Sequence, residues 1–327
     1  MLQLFRTNQL FVALLFVPYL FLLRAGKWWN DSGAPLTDVL EPSGGGIGGW
    51  WLRGGLPGPD ALWTTLAVSV LAFLISQTVI NNRLTGGLSM FPGLVFLLLC
   101  ALLPVFDPFP PALVAAYFLL AALGEAFSLD QKKNLDTRVF NLGLWLGVAS
   151  LFQSSLLLLG GWAIVALAIF QRAGIRSILV MLTGLLVPYW LAGVGCFLTG
   201  QLNTFWSAQF SGGFGLLHFA DGYDRFIWIR VGVFAGGVAV VLLSLQSYFR
   251  KKIIAAQRKT SMVLWLLGGL IVVGIFQENV GYEHLLLVAV PLSMLLGQNL
   301  LRLPARWAEA VHIVALVGLI VLSFMAR

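Results

Sequence analysis

The stretch from Val139 to Phe170 is almost wholly apolar, and lysine and arginine residues flank it on both sides. Its polar break, Gln153 to Ser155, leaves each arm with about 14 or 15 residues, roughly 22 Å of α-helix. A bilayer core is about 30 Å thick and usually takes about 20 helical residues. We therefore interpret the stretch as a short membrane hairpin. Its arms either thin the bilayer locally or end below the far surface, inside protein or next to water.

The composition excludes a soluble globular protein. Of the 327 residues, 59% are hydrophobic and only 10% are charged, which is too few to cover a soluble surface. The net charge of +7 does not indicate nucleic-acid binding, because the basic residues lie in short loops between apolar runs. Cys100 and Cys196 lie inside apolar runs, so we expect neither a disulfide nor a metal site from them.

Eleven apolar runs predict an all-α polytopic transmembrane bundle that forms a single integral membrane domain over residues 1–327. We interpret the first run as a retained helix, because no signal-peptidase site follows it. The predicted spans are 9–24, 61–80, 91–105, 111–127, 139–152, 156–170, 177–199, 226–248, 262–276, 284–301 and 308–326.

A second short hairpin, residues 91–127, has a turn fixed by Pro108, Pro110 and Pro111, which cannot continue a helix. We hypothesise that the two hairpins form a depressed wall beside a hollow that opens to the outer face. Gln153, Ser154 and Ser155 are the candidate floor of this cavity. The alternative is that both hairpins are ordinary, filled parts of the bundle.

The charge distribution predicts a bacterial inner-membrane protein with a cytoplasmic N-terminus and a periplasmic C-terminus. This orientation places 14 of the 20 basic residues inside, as the positive-inside rule requires. It also places nine of the 13 acidic residues outside. The predicted outer loops are residues 25–60, 201–225 and 277–283.

Asp31 and Asp38 are the candidate catalytic residues. They follow the first span in a loop whose tryptophans are suited to the membrane interface. An acid shielded from water there can act as a general base toward an acceptor hydroxyl. The alternative is that both are ordinary solvated loop acids.

Arg225 and Arg230 lie at the predicted outer start of the eighth span, where a lipid-linked phosphate would sit. Arginine grips phosphate bidentately, although anchoring to anionic headgroups explains the pair equally well. Near the tenth span, Glu283 is also explained by the helix dipole. The candidate substrate-binding residues are Arg225, Arg230, Asp221, Asp224, His218, Glu278, Tyr282 and His284.

Several kinds of site have no motif in the sequence. We find no nucleotide-binding loop between a strand and a helix, and no Gly-x-Ser-x-Gly elbow. Three histidines cannot form a four-histidine iron site, and we predict no metal site. The spans also lack the paired buried charges that are typical of ion-coupled carriers.

Several segments, in this order, resemble a family of bacterial polytopic inner-membrane proteins of uncharacterised function. They are FRTNQ before the first span, FNLGLWLGVASLFQSSLLLL with WAIVALAIFQ, GLLVPYWLAGVGCFLTGQL, and EHLLLVAVPLSMLLG. This resemblance covers most of the chain and implies no catalytic residue.

The layout also resembles, more loosely, the C-type glycosyltransferases, which use polyprenyl-phosphate sugars at the outer face. The shared features are a first span followed by a loop with an acid, short paired helices such as GVASLFQSSLLLL, and an outer cavity. The chain departs from them because its first loop has no Asp-Asp or Asp-Glu pair, and because it has no C-terminal soluble domain.

The resemblance implies a glycosyltransferase-like protein that binds a polyprenyl-phosphate-linked sugar. The competing hypothesis is a non-catalytic membrane subunit or scaffold of a cell-envelope export or assembly complex. We assign no cofactor, and a lipid-phosphate carrier serves as substrate under the first hypothesis. The expected partners are membrane lipids and envelope proteins.

Overall fold

The structure is a computed structural model, which describes residues 14–23, 46–52, 60–85, 87–103, 109–131, 134–211, 227–249, 254–276 and 282–325. The first half of the chain forms α1 (Phe16–Leu23), α2 (Ile47–Leu52), α3 (Asp60–Asn81), α4 (Phe91–Ala101), α5 (Pro111–Ser128) and α6 (Leu135–Phe152). A 3₁₀ helix, Ser154–Leu159, then leads into α7 (Gly160–Ile169) and α8 (Ile175–Leu198).

The second half begins with α9 (Leu202–Trp206) and a π-helical turn, Ser207–Ser211. It continues with α10 (Ile227–Leu243), α11 (Leu245–Phe249), α12 (Ile254–Ile275), α13 (Tyr282–Arg302) and α14 (Ala305–Met325). Each of the eleven predicted spans overlaps a helix, and six helices among the described residues are long and apolar enough to cross a membrane. The prediction of an all-α polytopic membrane bundle is confirmed.

Several helices have other ends than the predicted spans, because a helix does not have to end where an apolar run ends. The predicted span at 139 begins at Leu135 in α6, and the predicted span at 262 begins at Ile254 in α12. The early residues of α12 include Ala, Gln, Arg and Lys, which favour helix although the last three are polar or charged. In the other direction, α4 ends at Ala101, although the apolar run continues to residue 105.

α13 is the central helix of the bundle. In an 18-residue stretch of α13, 78% of the residues are buried, whereas the corresponding shares are 17% in α14 and 33% in α8. α13 packs closely on α4, where a Cβ atom added to Gly297 would lie 2.8 Å from the backbone nitrogen of Pro92. The exposed apolar side chains of α8 and α14 therefore face lipid, as expected for outer helices of a membrane bundle.

Glycines allow α6 and α8 to lie in backbone contact. Gly143 faces the carbonyl oxygen of Met181, and Gly184 faces the carbonyl oxygen of Phe140, each so closely that no Cβ would fit. Gly147, one turn after Gly143, faces Leu185 in the same way. Such small residues at a spacing of four are how membrane helices approach each other closely. This contact fixes α8 against the first arm of the hairpin.

The turn at Gln153 marks one end of the bundle, which we call the tip end. Successive spans alternate in direction, so the end of α8 and the starts of α10 and α13 lie at the tip end as well. At the opposite end, Arg176 Nη2 and Asp136 Oδ2 form an ion pair at 2.7 Å that aligns the starts of α6 and α8. Both side chains are more than half exposed, so this pair contributes little stability.

Candidate functional site

A hydrogen-bonded cluster joins three segments at the tip end. The hydroxyl of Tyr189 in α8 donates to Ser150 Oγ in α6 at 2.8 Å. Gln209, in the π-helical turn, donates from Nε2 to the carbonyl of Ser150 at 2.8 Å and to the Tyr189 hydroxyl at 3.0 Å. Gln209 Oε1 accepts from the backbone N–H of Ile47 at 3.2 Å. We call Ser150, Tyr189 and Gln209 the tip cluster.

The segment of residues 46–52 lies over the end of the hairpin. The N–H of Gly46 donates to the carbonyl of Phe152 at 3.2 Å, which satisfies one of the last carbonyls of α6. Gly48 lies against the ring of Phe152, and a Cβ atom there would come within 2.5 Å of the ring. The glycines of this segment therefore allow its backbone to lie close to the hairpin. This contact was not predicted from the sequence.

Gln153, Ser154 and Ser155, the predicted cavity floor, lie beneath this segment in the protein interior. They are 0%, 1% and 0% exposed, so they contact protein and do not line an open surface. The hydrogen bond between Ser150 and Tyr189 shows which part of α8 is level with the hairpin end. Leu198, the last residue of α8, lies about 14 Å further along the helix at 1.5 Å per residue.

An apolar groove of about 630 Å³ runs beside the tip cluster. Its lining includes Leu157 of the 3₁₀ helix, Tyr189, Trp190 and Phe197 of α8, and Trp206 and Phe210 beyond it. Trp190 and Phe197 are 68% and 67% exposed, so the groove opens on the lipid-facing side of α8. Tyr189 contributes its ring to the groove and its hydroxyl to the tip cluster.

A second polar group forms where α10 meets α13. Arg230 Nη1 donates to the hydroxyl of Tyr282 at 3.0 Å, and the guanidinium lies 5.3 Å from the centre of the Tyr282 ring. Both residues are buried. A buried arginine in a membrane span is costly unless it is paired, and such residues commonly mark functional sites.

His284 follows Tyr282 and packs against α12. Its Nε2 donates to the carbonyl of Leu270 at 2.8 Å, because a carbonyl can only accept. Nδ1 is buried with no hydrogen-bond partner among the described residues. The Oε2 atom of Glu283 is likewise buried and has no partner there.

The structure thus pairs Arg230 with Tyr282 and places His284 against α12, while Gln153 to Ser155 are buried beneath the segment of residues 46–52. α12 lies between the two groups, since it contacts the 3₁₀ helix at Leu159 and α13 at His284. The described residues contain no group of three histidine, cysteine or acidic side chains that could hold a metal ion. The predicted residues outside the described ranges are Asp31, Asp38, His218, Asp221, Asp224, Arg225 and Glu278.

No family model and no curated protein sequence matches the chain. Among solved structures, ArnT from Cupriavidus metallidurans bound to undecaprenyl phosphate aligns with a TM-score of 0.53 at 15% identity, over 94% of this chain and 62% of ArnT. The Archaeoglobus fulgidus oligosaccharyltransferase, tethered with an acceptor peptide containing the NVT sequon, aligns with a TM-score of 0.51 at 11% identity. That alignment covers 97% of this chain and 55% of the transferase.

The chain has an architecture similar to that of the C-type glycosyltransferases. It spans less than two thirds of the length of either protein, and at this low identity the similarity concerns the fold alone. The looser resemblance found in the sequence is therefore confirmed at the level of architecture. The resemblance to the bacterial inner-membrane family stays a prediction, because no family model matches.

Replacing Tyr282 with phenylalanine removes the hydroxyl that accepts from Arg230 and keeps the ring beneath the guanidinium. We expect the free energy of unfolding to fall by about 2 kcal/mol, because a hydrogen bond to a charged group is lost. Thermal unfolding in detergent measures this. Tyr117→Phe is the matched control, since it removes a hydrogen bond from a neutral hydroxyl to the Ala67 carbonyl and should cost about 1 kcal/mol. A smaller loss for Tyr282→Phe than for Tyr117→Phe would contradict the prediction.

Proposed function

We propose that this protein is a glycosyltransferase-like membrane protein that binds a polyprenyl-phosphate-linked sugar at the tip end of the bundle. In the predicted orientation this end faces the periplasm. The observation that carries the proposal is the apolar groove on the lipid-facing side of α8. The shared fold supports it, because the ArnT structure is bound to undecaprenyl phosphate.

The groove is suited to a polyprenyl chain. Its described lining is aliphatic and aromatic, apart from the Tyr189 hydroxyl, which is already engaged with Ser150. Because it opens toward lipid, a chain can enter sideways from the bilayer without crossing water. The groove is also bordered by the π-helical turn, from which residues 212–226 lead to α10 and Arg230.

The proposed chemistry is transfer of the sugar to an acceptor hydroxyl. The hydroxyl oxygen attacks the anomeric carbon, the bond between that carbon and the phosphate oxygen breaks, and polyprenyl phosphate leaves. Asp31 or Asp38 takes the hydroxyl proton. Arg225 and Arg230 bind the phosphate, whose charge grows as it leaves. In support of this role, Tyr282 already orients the guanidinium of Arg230.

Filling the groove tests the proposal. Gly193 of α8 lines the groove, and its Cβ position would meet only Phe205 at 4.0 Å, so Gly193→Trp can be built without a backbone clash. We expect its affinity for undecaprenyl phosphate in nanodiscs, measured by native mass spectrometry, to fall at least about tenfold, which is about 1.4 kcal/mol.

Gly195→Trp is the matched control, because Gly195 lies two residues away on the same helix, has no atom near its Cβ position and does not line the groove. It should bind like the unmodified protein. Equal binding by both variants would show that the groove is not the lipid site. An unmodified protein that binds no polyprenyl phosphate would favour the scaffold hypothesis.

A further inference from the structure

An arginine at the end of α13 is held in place on the surface, at the end of the bundle opposite the tip end. Arg302 Nη1 donates to the hydroxyl of Ser247 in α11, and the guanidinium lies 5.4 Å from the centre of the Tyr248 ring. Tyr248 is itself buried and donates to the carbonyl of Leu295 at 3.2 Å. Arg302 is nevertheless an exposed residue. These contacts restrict the guanidinium and leave it accessible from outside the bundle.

The surface around Arg302 carries an excess of positive charge. Among the described residues Arg302 forms no ion pair, whereas Arg176, at the same end of the bundle, is paired with Asp136. Arg306 is also exposed and lies in the first turn of α14, so its Cα atom is no more than about 14 Å from that of Arg302. Glu309, the acid of α14, follows Arg306 by three residues and balances one of the two cations. This surface therefore suits an anion.

Exposed apolar side chains lie near Arg302 in two other helices. Trp307, in α14, is 68% exposed. Leu243, the last residue of α10, is 88% exposed. The next residue, Ser244, accepts from Asn299 at 3.1 Å, one turn of α13 before Arg302. Because tryptophan is suited to the membrane interface, this charged surface lies where the lipid-facing part of the bundle ends.

We propose that Arg302 binds the phosphate of an anionic phospholipid in the leaflet at this end of the bundle. A guanidinium presents several N–H donors in one plane, and two of them can bind the same phosphate. The acyl chains lie against the exposed apolar side chains of α10 and α14. A zwitterionic lipid binds less tightly, because its amine is repelled by Arg302 and Arg306. The inference is independent of the proposed function, since the groove lies at the tip end.

Native mass spectrometry of the full chain in detergent tests the inference, with phosphatidylglycerol and phosphatidylcholine as the probes. We expect the unmodified protein to bind phosphatidylglycerol more tightly than phosphatidylcholine. Arg302→Gln keeps a polar side chain and removes the charge. Its affinity for phosphatidylglycerol should fall about fivefold, which is about 1 kcal/mol, the contribution of one basic residue near an anionic membrane surface. Its affinity for phosphatidylcholine should fall less.

Arg176→Gln is the matched control. Arg176 is an exposed arginine at the same end of the bundle, but Asp136 already pairs with it at 2.7 Å. Both variants lose one positive charge, so an effect of net charge alone would lower their affinities equally. We expect Arg176→Gln to bind phosphatidylglycerol like the unmodified protein.

Crosslinking locates the lipid on the unmodified protein. Phosphatidylglycerol with a photoreactive headgroup should crosslink within residues 243–249 or 302–307, and glycerol phosphate, which has no acyl chains, should not displace it. The inference is overturned by equal binding of the two lipids, by equal losses in the two arginine variants, or by crosslinks confined to other residues. Displacement by glycerol phosphate would overturn the assignment to a lipid. If Arg302→Gln does not fold, the crosslinks decide the question.

Discussion

Gly184→Ala is expected to lower the free energy of unfolding by about 2 kcal/mol, although alanine is the better helix former. The added methyl group would press on the backbone carbonyl of Phe140, which cannot rotate away as a side chain can. α6 and α8 would have to separate. The tip cluster would loosen with them, because Ser150 and Tyr189 lie on these two helices.

The matched control is Gly195→Ala in the same helix, where no atom of the described residues lies within 4 Å of the Cβ position. This change should leave stability unchanged or raise it by a few tenths of a kcal/mol, since the helix gains propensity at no steric cost. Unfolding in mixed detergent micelles compares the two variants directly. If Gly184→Ala proved as stable as Gly195→Ala, the two backbones would not be in contact.

Replacing Asp31 and Asp38 together with asparagine is expected to reduce sugar transfer by about 10²- to 10⁴-fold, the usual contribution of a positioned general base. Asparagine keeps the size of aspartate and cannot take the acceptor's proton. Binding of undecaprenyl phosphate should stay unchanged, because the described lining of the groove is apolar and holds the lipid chain without a general base. The two readouts therefore separate catalysis from lipid binding.

Transfer of a radiolabelled sugar from polyprenyl phosphate in isolated membranes measures the effect, with each single variant beside the double one. Glu41→Gln serves as a control, since it alters an acid of the same loop to which no role is assigned. Full sugar transfer by the double variant would show that neither aspartate acts as the general base. If Glu41→Gln also lost activity, the loop charge as a whole would be responsible.

The spans were predictable from the sequence because the hydrocarbon core of a membrane demands apolar side chains whatever the tertiary contacts are. The ends of the helices were less predictable from the sequence. α12 begins at Ile254, and its first residues, Ile254–Thr260, include polar and basic side chains. They are helical because the helical hydrogen bonds continue past the membrane boundary. Hydropathy detects where the lipid-facing stretch begins, whereas the helix extends as far as its backbone hydrogen bonds continue.

The tip cluster was not predictable, because each of its contacts joins distant parts of the chain. Gln209 binds Ser150 across 59 positions and Ile47 across 162. In the sequence, Tyr189 is one of three aromatic residues in the apolar run 177–199. Its hydroxyl within that run was the one available sign, since a phenol buried in a membrane protein needs a partner. The pairing of Arg230 with Tyr282 was missed for the same reason, although both were candidates.

The 3₁₀ helix Ser154–Leu159 changes how the hairpin relates to the bilayer. At about 2.0 Å of rise per residue it extends up to about 12 Å, where an α-helix of this length would extend about 9 Å. With α7 the returning arm reaches about 27 Å, and α6 reaches about the same. The full helical length of each arm is then only about 3 Å shorter than a hydrocarbon core of about 30 Å. The helical backbone of the first arm is therefore longer than its apolar run, since the first turn of α6 contains Asp136 and Arg138.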